Sequence, residues 1–224
     1  NCRGRTEPLN QPRRQLVVLA RWPAAGRCKR RLAADLHSAT RAAAVQRQLT
    51  HHTLHTAATA AAACGAELRL AVDGLGPRAR RRWGQALGRD GIVATLMAQG
   101  HGGLGCRMQR LWRLGFAGGA EQVVLIGSDL PALEPADVEQ AFTALEAQPL
   151  VLGPASDGGY WLIGIHRSGF RRAGASLMAG IPWGGDQVLA TTLERARQRH
   201  LQPALLRQLS DLDTRAALGP WLRR

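Results

Sequence analysis

Lysine is almost missing from this 224-residue chain: of 30 basic residues 29 are arginine, and Lys29 stands alone. Tyrosine occurs once and phenylalanine three times. Tyrosine and phenylalanine this scarce leave few stacking platforms for a nucleic-acid binder. Cys2, Cys28, Cys64 and Cys106 are widely scattered with no C-x-x-C pair. That argues against zinc and a disulfide framework, and suits a reducing cytoplasm. No apolar run reaches the ~18 residues a membrane helix needs, so no span is expected. Acids are scarce as well, 16 in all, which leaves a formal net charge of +14.

What is present begins with a basic opening. Residues 1–31 hold nine basic residues against one acid, Glu7. Residues 1–14, polar and rich in Arg and Pro, read as a disordered basic extension and not as a secretory signal. Residues 15–224 read as one domain, of a length that buries a substantial core. A basic surface also attracts nucleotides and phosphorylated substrates.

Strand and helix patterns then alternate. Leu16–Ala20, Glu67–Val72, Ile92–Met97, the run from Val123, Leu150–Gly153, Trp161–Ile165 and Pro203–Leu209 read as strands. Helices are expected over Ser38–Ala63 (Ser38 as N-cap, Gly65 as stop), Arg78–Leu87 (ended by Gly88), Arg107–Phe116, Pro135–Ala147 and Asp186–Arg199. Such alternation implies an α/β chain: a mainly parallel sheet in a three-layer α/β/α sandwich.

The most informative stretch is 123–131, Val-Val-Leu-Ile-Gly-Ser-Asp-Leu-Pro. Its aliphatic run describes a strand buried on both faces, as in the middle of a parallel sheet. Asp129 arrives where the chain leaves the sheet, and Pro131 stiffens the turn. Ligands of open α/β sheets bind just outside such strand ends, so Asp129 is placed to hold a metal ion over a phosphate. A helix-capping Asp would look the same. Lys29 lies in a basic loop directly after the first strand. Its compact charge suits terminal phosphates, although one lysine surviving on a basic surface is the plainer alternative.

Three further segments carry chemistry. In Asp157-Gly158-Gly159-Tyr160 the glycines allow close approach to a ligand and Tyr160 offers an aromatic edge with a hydroxyl, though Asp-Gly-Gly is ordinarily a hairpin turn. Trp183, in Pro182-Trp183-Gly184-Gly185-Asp186, suits a base or sugar ring, or a place in the core. Asp211 and Asp213 lie two apart, and either could join Asp129 around one hard cation. His51 and His55 are four apart on a helix, but the Glu and third ligand of a zinc helix are absent. The glycine-rich 99–105 segment does not follow the dinucleotide fingerprint.

Taken together, Ala20-Arg21-x-Pro23-x-x-Gly26-Arg27-x-Lys29-x-Arg31-Leu32, Gln99-Gly100 through Leu104-Gly105-x-Arg107-Met108, Gly127-Ser128-Asp129-x-Pro131, Gly153-Pro154 through Tyr160, Ile181-Pro182-Trp183-Gly184 and Asp211-Leu212-Asp213-Thr214 carry a resemblance. From Leu16 to Leu218 the chain resembles the radical-SAM/selenodomain-associated transferase 1 family, the arsenosugar-biosynthesis type of glycosyltransferase. That family is similar to 2-phospho-lactate guanylyltransferase and to the GT-A nucleotide-diphospho-sugar transferases. The chain departs from the family pattern at Arg30, where Thr is usual, at Gly103 and Cys106, where acids are usual, and at Arg215-Ala216, where Pro-Glu is usual.

The resemblance implies a GT-A-like fold that binds a nucleotide and a divalent cation (Mg or Mn) between the first loop and Asp129. Ala20, Arg21, Gly26, Lys29, Arg31, Gln99, Gly100 and Ser128 fall to the nucleotide and its phosphates. Asp129 and Asp213 fall to the metal, Asp129, Asp157 and Lys29 to catalysis, and Gly158, Gly159, Tyr160 and Trp183 to the acceptor or sugar. The expected function is metal-dependent glycosyl transfer from a nucleotide sugar to a small-molecule acceptor. The alternatives are a guanylyl- or cytidylyltransferase-like enzyme that releases pyrophosphate, and a non-catalytic basic nucleotide- or RNA-binding protein.

Overall fold

The computed structural model describes residues 13–222. Seven strands, β1 (Arg14–Arg21), β2 (Ala66–Asp73), β3 (Thr95–Ala98), β4 (Gln122–Ile126), β5 (Leu150–Pro154), β6 (Tyr160–His166) and β7 (Pro203–Leu205), form one sheet in the order β3-β2-β1-β4-β6-β5-β7. β6 is antiparallel to β4 and β5, and the other pairs are parallel. The Asp129 strand is therefore not parallel on both sides. The turn between β5 and β6 is too short for a crossover, so β6 must reverse.

Among the described residues there are eight helices: α1 (Arg30–Asp35), α2 (Ala39–Cys64), α3 (Pro77–Arg89), α4 (Leu104–Ala117), α5 (Pro135–Ala147), α6 (Arg167–Leu177), α7 (Val188–Gln198) and α8 (Arg215–Leu222). Side chains alternate across each strand and so fill two cores. Leu16 and Val18 pack with Leu54 and Ala57 of α2, Leu87 of α3 and Phe142 of α5. Val17 and Leu125 pack on the opposite face with Met108 and Trp112 of α4, Leu177 of α6 and Ala196 of α7. A third cluster of Leu32, Ala42, Leu49 and Leu212 ties α1 and α2 to the segment before α8. The sandwich is the one expected.

The caps explain most helix boundaries. Ser38 Oγ accepts from the Arg41 N–H at 3.2 Å, and Gly65 ends α2 at φ 62°, where a side chain would be strained. Pro135 opens α5 behind a capping box of Glu134 and Asp137. Several boundaries differ from expectation: α4 starts at Leu104 and not Arg107, β7 ends at Leu205 and not Leu209, and three more have a clear local cause. α3 passes through Gly88, because the reversal falls at Gly91 (φ 77°) and buries Ile92. β3 starts at Thr95, since Ile92 belongs to that turn. α7 starts at Val188, after a turn at Gly184 (φ 86°). Helices α1, α6 and α8 were not expected. In α6 two glycines obscure a period carried by Phe170, Ala173 and Leu177. The expected extension lies mostly outside the described residues, and Arg14 already belongs to β1.

Phe142 is fully buried between α5 and the sheet. Phe142→Ala should cost about 3–5 kcal/mol, as core aromatic truncations do. Urea unfolding would register this as a lower midpoint at unchanged slope.

Candidate functional site

The sheet order fixes where a cleft can open. From β1 the chain works outward through β2 and β3, then returns to β4 on β1's other side. The connections after β1 and β4 therefore part over adjacent strand ends, which leaves a crevice at that switch point. Here it is a cleft of about 810 Å³. The end of β1 supplies Arg21 to it, the following loop Arg27 and Lys29, the start of α1 Arg30 and Arg31, and the turn after β4 Ser128 and Asp129. The β5–β6 hairpin adds Asp157, Gly159 and Tyr160, the segment before α7 adds Trp183, and the chain before α8 adds Asp211 and Asp213.

Lys29, Asp129 and Asp213 meet directly. Lys29 Nζ donates to Asp129 Oδ2 at 2.9 Å and to Asp213 Oδ1 at 2.7 Å. Sequence reasoning put the lysine on a phosphate and the carboxylates on a cation. The structure joins all three in one ion cluster. The Lys29 side chain is 2% exposed, whereas the carboxylates are 39% and 41% exposed, so the acids face the cleft and the ammonium is sealed behind them. Burial alone would lower the lysine's affinity for its proton; the two carboxylates outweigh it and hold the pKa above its usual range. Lys29 thus stays charged throughout the neutral range.

The backbone supports this placement. Lys29 sits at the start of α1 with φ 48° and ψ 51°, a left-handed conformation that costs a non-glycine residue about 1–3 kcal/mol. The loop before it is braced by Trp22, whose N–H donates to the Asp73 carbonyl at 2.9 Å and whose ring meets Trp83 edge-on at 5.1 Å. Asp129 is fixed from α2. Gln46, 3% exposed, donates through Nε2 to Asp129 Oδ1 at 2.6 Å. Leu212, fully buried, donates its N–H to the Asp129 carbonyl at 3.1 Å and thereby delivers Asp213.

The remaining expected residues divide. Ala20, Gly26, Gly100 and Gly158 are absent from the cleft wall. The Ala20 carbonyl accepts from Gln99 Nε2 at 3.0 Å. Gly26 (φ 76°) turns the loop in open space. Gly100 (φ 81°) lies under the Arg110 guanidinium, and a side chain at Gly158 would collide with the Asp186 carbonyl. Gln99 lines the cleft but is spent as a strut: its amide N–H groups reach the Ala20 and Ala71 carbonyls, and its Oε1 accepts from Arg107. Tyr160 presents its ring, edge-on to Trp183 at 6.2 Å. Its hydroxyl, expected to face a ligand, turns inward to Met178 Sδ at 3.8 Å, and burial pushes the phenol's pKa up. Trp183 rests against Gly105, where an added Cβ would lie 2.9 Å from the indole. Asp157 Oδ1 accepts from the Gly159 N–H at 2.9 Å, so it both closes the hairpin and faces the cleft.

Sequence reasoning missed Gln46 and Asp73. Asp73 ends β2 as Asp129 follows β4, and that shared position was the available signal. It accepts from Arg107 at 2.9 Å and lies 3.5 Å from Arg21. Burial raises its pKa, but the two guanidinium groups overcome this and hold it below the usual carboxylate range. Gln46 gave no local signal beyond being a polar residue within an alanine-rich helix.

A divalent cation fits the chemistry of the donors in one specific way. Among the described residues, no group of three or more His, Cys, Asp or Glu side chains could hold a metal ion. Asp129 and Asp213 offer two carboxylates at the cleft face, which suits a hard cation that keeps waters and shares phosphate oxygens. The acids are crowded as well. Burial, then the Asp213 and Asp157 charges, push the Asp211 carboxyl above its usual range. An acid whose folded pKa is raised destabilises the fold above its unfolded pKa. Asp211→Asn should therefore raise Tm at pH 7, with the gain fading as pH falls and Asp211 takes up its proton. Calorimetry across pH checks this, and a lower Tm at pH 7 would contradict it.

With the geometry in hand, comparison with known proteins gives the class. The fold is that of the GT-A-like nucleotide-diphospho-sugar transferases. A candidate nucleotide-diphospho-sugar transferase from Desulfovibrio desulfuricans G20 superposes with a TM-score of 0.80 at 27% identity, over 93% of this chain and 89% of that one. CMP:2-keto-3-deoxy-manno-octonic acid synthetase complexed with CTP gives 0.54 at 15% identity, over 93% and 96% of the two chains. Rv0371c from Mycobacterium tuberculosis H37Rv, in complex with manganese, gives 0.51 at 19% identity, over 93% and 98%. The last two share the fold alone. No protein of curated function matches by sequence. Residues 53–185 match the model of DUF2064, described as an uncharacterized protein conserved in bacteria, and the chain belongs to that family.

Proposed function

We propose that this chain is a nucleotide-dependent transferase that moves a glycosyl group from a nucleotide sugar to a small-molecule acceptor. The observation that carries the reading is the meeting of Lys29, Asp129 and Asp213 at the switch point of the sheet, beneath a mouth lined by exposed arginines. The 27% identity to a candidate nucleotide-diphospho-sugar transferase supports it. So does the resemblance of six motifs to those of the radical-SAM/selenodomain-associated transferases.

Arg21, Arg31 and Lys29 receive the diphosphate as charge-assisted donors. Asp129 and Asp213 would hold a divalent cation, which would supply charge neutralisation for the leaving diphosphate. Asp157 lies in the same cleft as the Tyr160 and Trp183 rings, which suits it to orient an acceptor hydroxyl and take its proton. Among the described residues no helix is long and apolar enough to cross a membrane.

Asp129→Asn should abolish turnover in a nucleotide-sugar hydrolysis assay while its melting curve stays cooperative. Retained activity would remove Asp129 from catalysis. Lys29→Ala should weaken binding of the nucleoside diphosphate by about 1.5–3 kcal/mol, the usual worth of a hydrogen bond between charged groups, as read by calorimetry.

Nucleotidyl transfer is the second reading. The arginine-rich mouth of Arg21, Arg27, Arg30 and Arg31 favours it, being more cationic than a diphosphate requires. Pyrophosphate released from GTP or CTP would establish it in place of glycosyl transfer.

A further inference from the structure

We infer that this cleft takes up a divalent cation together with a phosphate and not as the free ion, because Lys29 holds one oxygen of each of the two carboxylates that the cation would use. The inference rests on the proposed function, since it concerns the cation and phosphate of that same cleft.

Asp129 Oδ2 and Asp213 Oδ1 are both within 2.9 Å of one ammonium. A hard dication binds carboxylate oxygens at about 2.0–2.6 Å, so it would lie against the lysine's own charge unless Nζ withdrew. Nζ cannot withdraw without a partner, because its side chain is 2% exposed and a buried ammonium left unpaired is strongly disfavoured. The other oxygen of Asp129 offers no alternative seat, since Gln46 Nε2 donates to it at 2.6 Å and Ser128 Oγ lies 3.3 Å away. Among the described residues no third His, Cys, Asp or Glu completes a cation site there.

An arriving phosphate resolves the conflict. Its oxygens give Nζ a new anionic partner and give the cation the ligands that the protein does not supply. Lys29 then exchanges two carboxylates for phosphate, and Asp129 and Asp213 are freed. Because binding linkage is reciprocal, the cation must strengthen phosphate binding by the same factor.

Titration of Mn²⁺, followed by its electron paramagnetic resonance signal, tests this with inorganic pyrophosphate as the phosphate probe. Protein-free controls account for the manganese–pyrophosphate complex. Mn²⁺ alone should bind wild type at least about tenfold more weakly than it binds Lys29→Met, a coupling within the usual allosteric range. Pyrophosphate should tighten Mn²⁺ binding to wild type by a similar factor and should do less for the variant. Thermal melts establish that each variant is folded, and the pyrophosphate effect on wild type needs no variant at all. Equal Mn²⁺ affinity in wild type and Lys29→Met, lost on Asp129→Asn, overturns the inference and leaves the proposed function standing. Mn²⁺ binding indifferent to Asp129→Asn overturns the inference and removes the cation from the function as well.

Discussion

The contact between one buried ammonium and two carboxylates is the constraint around which this cleft is built. Each partner alone would be a liability. Lys29 without the acids is a desolvated charge, and Asp129 with Asp213 would be like charges at close range. Together they are satisfied, and the acids still face the cleft. Such a cluster adds little net stability compared with apolar packing. Its value lies in holding opposite charges ready, at fixed positions, where a phosphate-bearing ligand enters.

Much of the surrounding fold serves to deliver those three side chains. The reversal of strand order brings the ends of β1 and β4 side by side. The loop after β1 is pinned by the Trp22–Trp83 contact, and α2 reaches in with Gln46 to set the Asp129 rotamer. The last segment crosses back over α1 and α2 with Leu212 as its anchor. A second layer of charge, in which Arg107 binds both Asp73 and Gln99, ties the far wall of the cleft to the end of β2. Trp183, resting on Gly105 of the same helix as Arg107, and Tyr160 add an apolar wall.

The sequence made the architecture legible because caps and strand ends leave local signatures. Ser38, Gly65 and Pro135 marked helix ends through backbone chemistry that depends on few neighbours. The aliphatic run before Asp129 announced a buried strand, and the rule that ligands sit at strand ends then pointed to the cleft. Partnerships between side chains were hidden, since they depend on rotamers and distant packing. Nothing local tells that Gln46 holds Asp129, that the Tyr160 hydroxyl turns inward, or that Gln99 is a strut. Helix α6 escaped because its glycines dilute the apolar period.

Lys29 is the chain's single lysine, so lysine-selective ¹⁵N labelling of untagged protein places one reporter on the central contact. The account predicts a single ammonium resonance, slow to exchange with water at neutral pH and displaced from the position of free lysine. In Asp129→Asn/Asp213→Asn protein it should move to that position and exchange quickly. A wild-type signal already indistinguishable from free lysine would contradict the ion cluster and the cleft chemistry built on it.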